Sequence, residues 1–290
     1  MKSVVTTIQL LLLPLSLAAV EPATLARSLT LHVSFDHGID ADYSRGDPRM
    51  YSFSTSTERA SGGVVGLPDG AVRLEPEAGL AGGALRFAHK VAQKPFFKSA
   101  GVLDYNGADW SGTVSVWLRL DPDADLEPGY CDPIMIVGDH RDSGFIFMEW
   151  SKDDRPRLFR YAILPRKELW NPSGVPWAEL PAAKRPAVEV ARAPFARDRW
   201  THAVFTFDAL NSSTRDPTGV LYLNGVRQGA IEHWDLTLGW TAEQVLLVLG
   251  SSYVGLMDEL AVFDRALSDA EVEELYRLGA AAFARAKHLE

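Results

Sequence analysis

Apolar and polar residues alternate in short runs from residue 29 to residue 263. In "LTLHVSF", Leu29, Leu31, Val33 and Phe35 fall on one side. In "GTVSVWLRL", Val114, Val116, Leu118 and Leu120 face one way, and Thr113, Ser115, Trp117 and Arg119 the other. "FIFMEW", "WTHAVFTFD", "GVLYLNGVRQG" and "VLLVLGSS" continue the rhythm. A period of two puts successive side chains on opposite faces of a strand. Many such runs, bounded by Gly, Pro, Asp and Asn, predict an all-β chain folded as a β-sandwich or jelly roll. Asn224-Gly225 between "VLYL" and "VRQG" predicts a tight type I′ hairpin, whose two central residues need positive φ.

The pattern changes to a helical one near the C-terminus. Ser268 with Glu271 three residues on forms a capping box ahead of "VEELYRL". Val272, Leu275 and Tyr276 would form the buried face of a short helix, with Phe283 as an extension. Residues 280–290 read as a tail.

One stretch breaks the strand rhythm. Residues 151–199 hold eleven Lys and Arg against six Asp and Glu, and seven of the 17 prolines. This segment reads as a long insertion or lid inside a domain spanning 28–279, and long loops in compact domains are usually functional or disordered.

The last predicted strand poses a chemical problem. Asp258 and Glu259 interrupt "GLMDELAVFDR", and strict alternation would put Asp258 with Leu256, Leu260 and Val262, and Glu259 with Met257, Ala261 and Phe263. Both columns are apolar, so each carboxylate needs a cation, a metal or several hydrogen-bond donors.

Composition narrows the setting. The 290 residues are 47% hydrophobic and 23% charged, a globular balance with net charge −9 that argues against nucleic acid as a partner. Lys2, the apolar run "VVTTIQLLLLPLSLAA" and the small residues at Ser16–Ala19 predict a secretory signal peptide over 1–19. Its apolar run is short and broken by Pro14, unlike a membrane span. The mature chain is therefore expected without a membrane span and outside the cytoplasm, secreted, periplasmic or at the cell surface. The single cysteine, Cys131, has no intramolecular partner and reads as a packed, inert thiol.

"GALRF", "GTVSVWLRL", "DRWTHAVFTFD", "GVLYLNGVRQG" and "GLMDELAVFDRALSDAEVEELY" occur in the order and spacing of a laminin G-like domain. The chain resembles secreted bacterial members of the concanavalin A-like lectin/glucanase jelly-roll group over roughly residues 28–279, outside 151–199. That resemblance implies two packed antiparallel sheets closed by a last strand and short helix. It also implies a mostly non-catalytic module that binds extracellular glycan or a cell-surface protein, often with calcium.

In calcium-bearing relatives an acidic residue ending the first strand and one in the last strand supply ligands, and Asp36 and Asp258 match those positions. Oxygen ligands of this kind suit calcium, although the spacing is not that of an EF-hand. The alternative is hydrogen bonding alone, from backbone amides or an arginine such as Arg265, with Asp36 capping a turn.

Tyr161, Arg166, Trp170 and Trp177 in the 151–199 segment form the candidate ligand-binding set. Flat rings beside guanidinium groups can stack on sugars and pair with carboxylate or sulfate, which points to an anionic glycan. The competing reading is that these rings anchor the loop to the sandwich. Hydrolases of this fold carry E-x-D-x-E on one strand; no such run occurs, and Glu149 stands alone on "FIFMEW". A non-catalytic binding module is the leading expectation. A glycoside hydrolase or polysaccharide lyase using Glu149, and a structural component of a cell-surface assembly, are the alternatives.

Overall fold

The computed structural model describes residues 22–283 apart from positions 69 and 153; the expected signal peptide lies outside the described residues. Two antiparallel sheets face each other. The first runs in the order Val226–Ile231, Thr218–Leu223, Thr201–Leu210, Trp110–Arg119, Gly255–Phe263, Leu29–Val33, Tyr43–Ser44, with Ala84–Phe87 also on the last long strand. The second runs Ala187–Val190, Phe159–Leu164, Phe145–Trp150, Cys131–Val137, Leu246–Ser251, Lys94–Lys98, Tyr51–Phe53, Val64–Val65.

Alternation explains what lies between the sheets. Val114, Val116, Leu118 and Leu120 enter the shared core with Ile134, Ile136, Ile146, Met148, Leu247 and Leu249 of the opposite sheet. Burying each such side chain contributes about 1.5–3 kcal/mol. The polar side of Trp110–Arg119 faces outward: the Ser115 hydroxyl lies 2.8 Å from His202, and Trp117 stacks on His202 and Tyr276.

A second apolar layer covers that outer face. The helix Asp269–Leu278 starts at the Ser268–Glu271 capping box and lays Val272 and Leu275 against Val204, Tyr222, Ala261 and Phe263. Phe283 joins this layer and sits over His32 with ring centroids 4.3 Å apart. Leu29 also belongs here rather than with Leu31 and Val33, because the register slips between Leu29 and Leu31. The hairpin at Asn224-Gly225 has φ of 50° and 77°, as its type requires.

Residues 151–199 are not wholly an insertion. "FRYAIL" pairs residue for residue with Phe145–Trp150, and Ala187–Val190 adds the sheet's edge strand. Phe159, Tyr161 and Ile163 point to the core, so this run alternates like the others. Flanking charges and prolines hid that alternation. The part between these two strands carries short turns of helix at Lys167–Trp170, Trp177–Glu179 and Ala182–Lys184. No helix among the described residues is long and apolar enough to cross a membrane.

Candidate functional site

The paired carboxylates of the last strand do not split between faces. Against Trp110–Arg119 the register moves from Asp258↔Trp117 to Ala261↔Ser115, which leaves one extra residue on the last strand. Glu259 takes up this bulge with φ 47°. Met257, Leu260 and Val262 consequently enter the core, while Ala261 and Phe263 join the outer layer. Asp258 and Glu259 both stay outside the core.

Each finds a different partner. The Leu80 amide donates to Asp258 Oδ2 at 2.6 Å and the Glu259 amide to Oδ1 at 2.9 Å. Glu259 Oε2 lies 2.7 Å from His32 Nε2. Arg265 goes elsewhere, to Glu271. Burial pushes the Asp258 carboxyl up to about 8, reinforced by Glu259 and Asp36 and opposed by the two amides. Burial also raises Glu259, with His32 opposing.

Asp36 reaches the same loop from the other side. The Gly83 amide donates to its Oδ1 at 2.9 Å, three residues beyond Leu80. The loop closes tightly on both acids: a Cβ at Gly79 would sit 2.7 Å from Asp258 Oδ2, and one at Gly82 would sit 2.1 Å from Asp36 Oδ1. Two carboxyl groups that meet one glycine-rich loop offer the hard oxygen donors calcium accepts. Among the described residues no three acidic, His or Cys side chains converge as a metal-binding group, so such an ion would depend on carbonyl and water oxygens for its other ligands.

The second candidate lies on the outer face of the second sheet. Its side chains form rows set by register. Glu189, Arg160 and Glu149 face one another across three strands, and Asp132 follows on the next. The neighbouring row is apolar: Ala187, Ala162, Phe147, Met135, Val248 and Phe96. Arg160 binds Glu149 at 3.0 Å and Glu189 at 3.5 Å. Trp177 is held against Arg160 and Arg185, whose guanidinium carbons lie 5.6 and 5.0 Å from its ring centre. Trp170 meets Trp177 edge-on at 5.9 Å. A cleft of about 150 Å³ opens beside them, lined by Tyr130, Arg141, Phe147, Glu149, Trp170 and Trp177.

The four candidate ligand residues thus divide. Trp170 and Trp177 share the cleft. Arg166 lies outside its lining, 3.5 Å from Glu168, with its amide donating to the Thr237 carbonyl. Tyr161 belongs to the core: it is fully buried, stacked on Phe205, and its hydroxyl donates to the Thr206 carbonyl at 3.0 Å. A ring pointing between the sheets cannot meet a ligand on the outer face.

Sequence reading missed Tyr130, which precedes a strand, Asp132, the second residue of that strand, and Arg141, which sits in a turn. Asp132 is nine-tenths buried beside Glu149, and burial with that neighbour drives its carboxyl well above the usual range. Burial lifts Glu149 to about 7 despite Arg160 and Arg141. The other polar candidates are quiet. Burial pushes His202 down to about 3 and the Cys131 thiol up to about 11, leaving a neutral imidazole and an unreactive thiol.

Two facing antiparallel sheets with a closing strand and helix define a jelly-roll sandwich. The chain belongs to the laminin G-like family of the concanavalin A-like lectin/glucanase superfamily, whose sequence model matches residues 99–273. No curated protein matches it in sequence. Among solved structures it is similar to Domain 4 of AbnA, a GH43 extracellular arabinanase from Geobacillus stearothermophilus, solved with arabinotriose. That match has 16% identity and a TM-score of 0.48, over 86% of this chain and 98% of that one. It is also similar to the botulinum neurotoxin serotype D ligand-binding domain in complex with N-acetylneuraminic acid, at 10% identity and a TM-score of 0.54, over 88% of this chain and 52% of that one. The binding domain of botulinum neurotoxin DC in complex with rat synaptotagmin II matches at 11% identity and a TM-score of 0.53, over 87% and 52%. The chain therefore spans about half the length of those toxin structures.

Proposed function

We propose that this protein is a secreted, non-catalytic module that binds extracellular glycan in the cleft beside Trp170 and Trp177. The observation that carries this reading is the cleft itself: Tyr130, Phe147, Trp170 and Trp177 surround it, with Glu149 and Arg141 as polar groups. Sugar rings offer apolar faces to aromatic side chains and hydroxyls to charged ones, and pockets of this mixed kind fix orientation with few polar groups. The toxin domain solved with N-acetylneuraminic acid has the same fold and supports the reading to that extent. Glycan-array screening followed by titration calorimetry tests it. Binding that Trp177→Ala and Tyr130→Ala each weaken at least tenfold is the expected result, and absence of any glycan ligand would end the proposal.

The same proposal includes a calcium ion held by Asp36 and Asp258 on the loop at 79–83. Its contribution would be structural, tying the end of the first strand to the last strand by neutralising two acids that share one loop.

A hydrolase or lyase is the second reading, favoured by one observation: the raised carboxyls of Asp132 and Glu149 stand side by side in the same region. Neighbouring acids whose carboxyls are raised by burial are groups that general acid–base chemistry can use. Polysaccharide cleavage that Glu149→Gln abolishes would establish it.

A further inference from the structure

Most arginines on this protein are paired with a carboxylate. Three cations around one hollow are not. The hollow, of about 240 Å³, adjoins the Trp177 cleft through Arg141, which lines both. Its floor is Phe53, Met135 and Phe145, and its rim carries Arg59, Lys94 and Arg141.

Among the described residues none of the three makes an ion pair. Arg59 donates to the Gly138 carbonyl and lies 6.0 Å from the Phe53 ring. Lys94 donates to the Ala92 carbonyl at 3.0 Å and lies 5.9 Å from the same ring. Arg141 stands 5.0 Å over Phe145. By contrast, the basic residues of the 151–199 segment nearest the two tryptophans are already occupied. Arg160 binds Glu149 and Glu189, Arg166 lies by Glu168, and Lys167 by Asp142.

Three acids stand nearby, and of these Glu149 feels Arg141 but has Arg160 as its ion-pair partner. Asp139 accepts from the Thr241 hydroxyl at 3.1 Å and forms no ion pair with Arg59. Asp132 is close enough to feel Lys94 and Arg141, but burial and Glu149 favour its neutral form, which weakens it as a counter-ion. Burial also lowers Arg59 and Lys94, as expected for partly desolvated cations without full compensation. In a chain of net charge −9, three neighbouring cations without an ion pair over aromatic and thioether groups are a local exception.

We propose that this hollow is the acidic subsite of the glycan groove: a carboxylate or sulfate on a sugar ring sits among Arg59, Lys94 and Arg141 while the ring lies on Phe53 and Phe145. Charge-assisted bonds to a guanidinium are strong and planar where the acceptor is a carboxylate or sulfate. The apolar floor excludes water and strengthens them. The assignment rests on the glycan reading above and specifies which sugars it takes.

Calorimetry on the full chain with three oligosaccharides of equal length separates the possibilities: hexagalacturonate, a chondroitin sulfate hexasaccharide and neutral cellohexaose. At least one acidic probe is expected to bind tenfold or more tightly than cellohexaose, with affinity falling as salt rises. The double variant Arg59→Gln/Lys94→Gln, at two positions outside the Trp177 cleft, should remove that preference and flatten the salt dependence, while any cellohexaose binding persists. Arg141→Gln alone, at an exposed position, serves if the double variant melts early. Preference for hexagalacturonate marks a carboxylate subsite; preference for the sulfated probe marks a sulfate subsite. Equal affinity for all three probes, or an acidic preference that survives both variants, overturns the subsite but leaves glycan binding standing. No binding to any probe overturns both.

Discussion

Asp258 and Glu259 are consecutive residues of one strand, yet both lie outside the sandwich core, because Glu259 occupies a bulge at φ 47°. Asp258, paired with outward-facing Trp117, meets the loop that also holds Asp36, and the bulge turns Glu259 to His32. One inserted residue resolves the apparent conflict of burial.

If calcium bridges Asp36 and Asp258, the protein should melt higher with the ion than with a chelator. At an ion concentration a hundredfold above the dissociation constant the stabilisation is about 2.7 kcal/mol. That corresponds to roughly 5–10 °C in a chain of this size. Differential scanning fluorimetry with calcium or EDTA reads the difference, and Asp36→Asn should shrink it. Identical melting in both buffers would leave Asp258 held by its amide donors alone.

Glu149 should make stability depend on pH in a defined direction. Its folded carboxyl titrates near 7 against an ordinary 4.5, with burial as the main cause. Between those values the folded chain keeps a proton that the unfolded chain has released, so stability falls as pH rises across that window. Melting curves of the wild type and Glu149→Gln from pH 4 to 8 should diverge in slope over it. Parallel curves would show that Arg160 fully compensates the buried charge.

Tyr161 offers a test of where the ligand face is. Tyr161→Phe removes only the bond to the Thr206 carbonyl and should cost about 1 kcal/mol. Removing the whole ring in Tyr161→Ala should cost roughly 3–5 kcal/mol through the cavity it leaves. Urea denaturation measures both. Glycan affinity of Tyr161→Phe should equal that of the wild type, whereas a residue touching ligand would show a loss.

Glu271 anchors the closing helix twice. Arg265 donates to its two oxygens at 2.8 and 2.6 Å, and the capping box joins it to Ser268. The Arg265 bonds are the main reason its carboxyl falls to about 2. As pH drops from 4.5 toward 2 the unfolded chain takes up the proton first, so this contribution is present above 4.5 and is lost in acid. Glu271→Ala should cost about 1–2 kcal/mol at neutral pH. Its deficit should shrink below pH 4 in acid titrations of stability.

What could be read in the chain was whatever is local. The alternation in "GTVSVWLRL" set the buried face of the central strand, since the pleat leaves no other choice. Asn224-Gly225 and the Ser268–Glu271 box specified a turn and a helix start through their own backbone chemistry. The bulge at Glu259 broke the alternation without leaving a mark, because nothing in "MDEL" distinguishes a bulged residue from a paired one.

The sequence by itself determined the fold class, the turns, the cap and the kinship, because hydrophobic period and backbone propensity act over a few residues. Tertiary structure alone decided which charges meet. Asp36 and Asp258 are joined by a loop from a third part of the chain. Tyr161 was taken into the core by the parity of a strand hidden among prolines. Arg59, Lys94 and Arg141 come together from distant segments, and strand order across a sheet is not encoded in any local pattern.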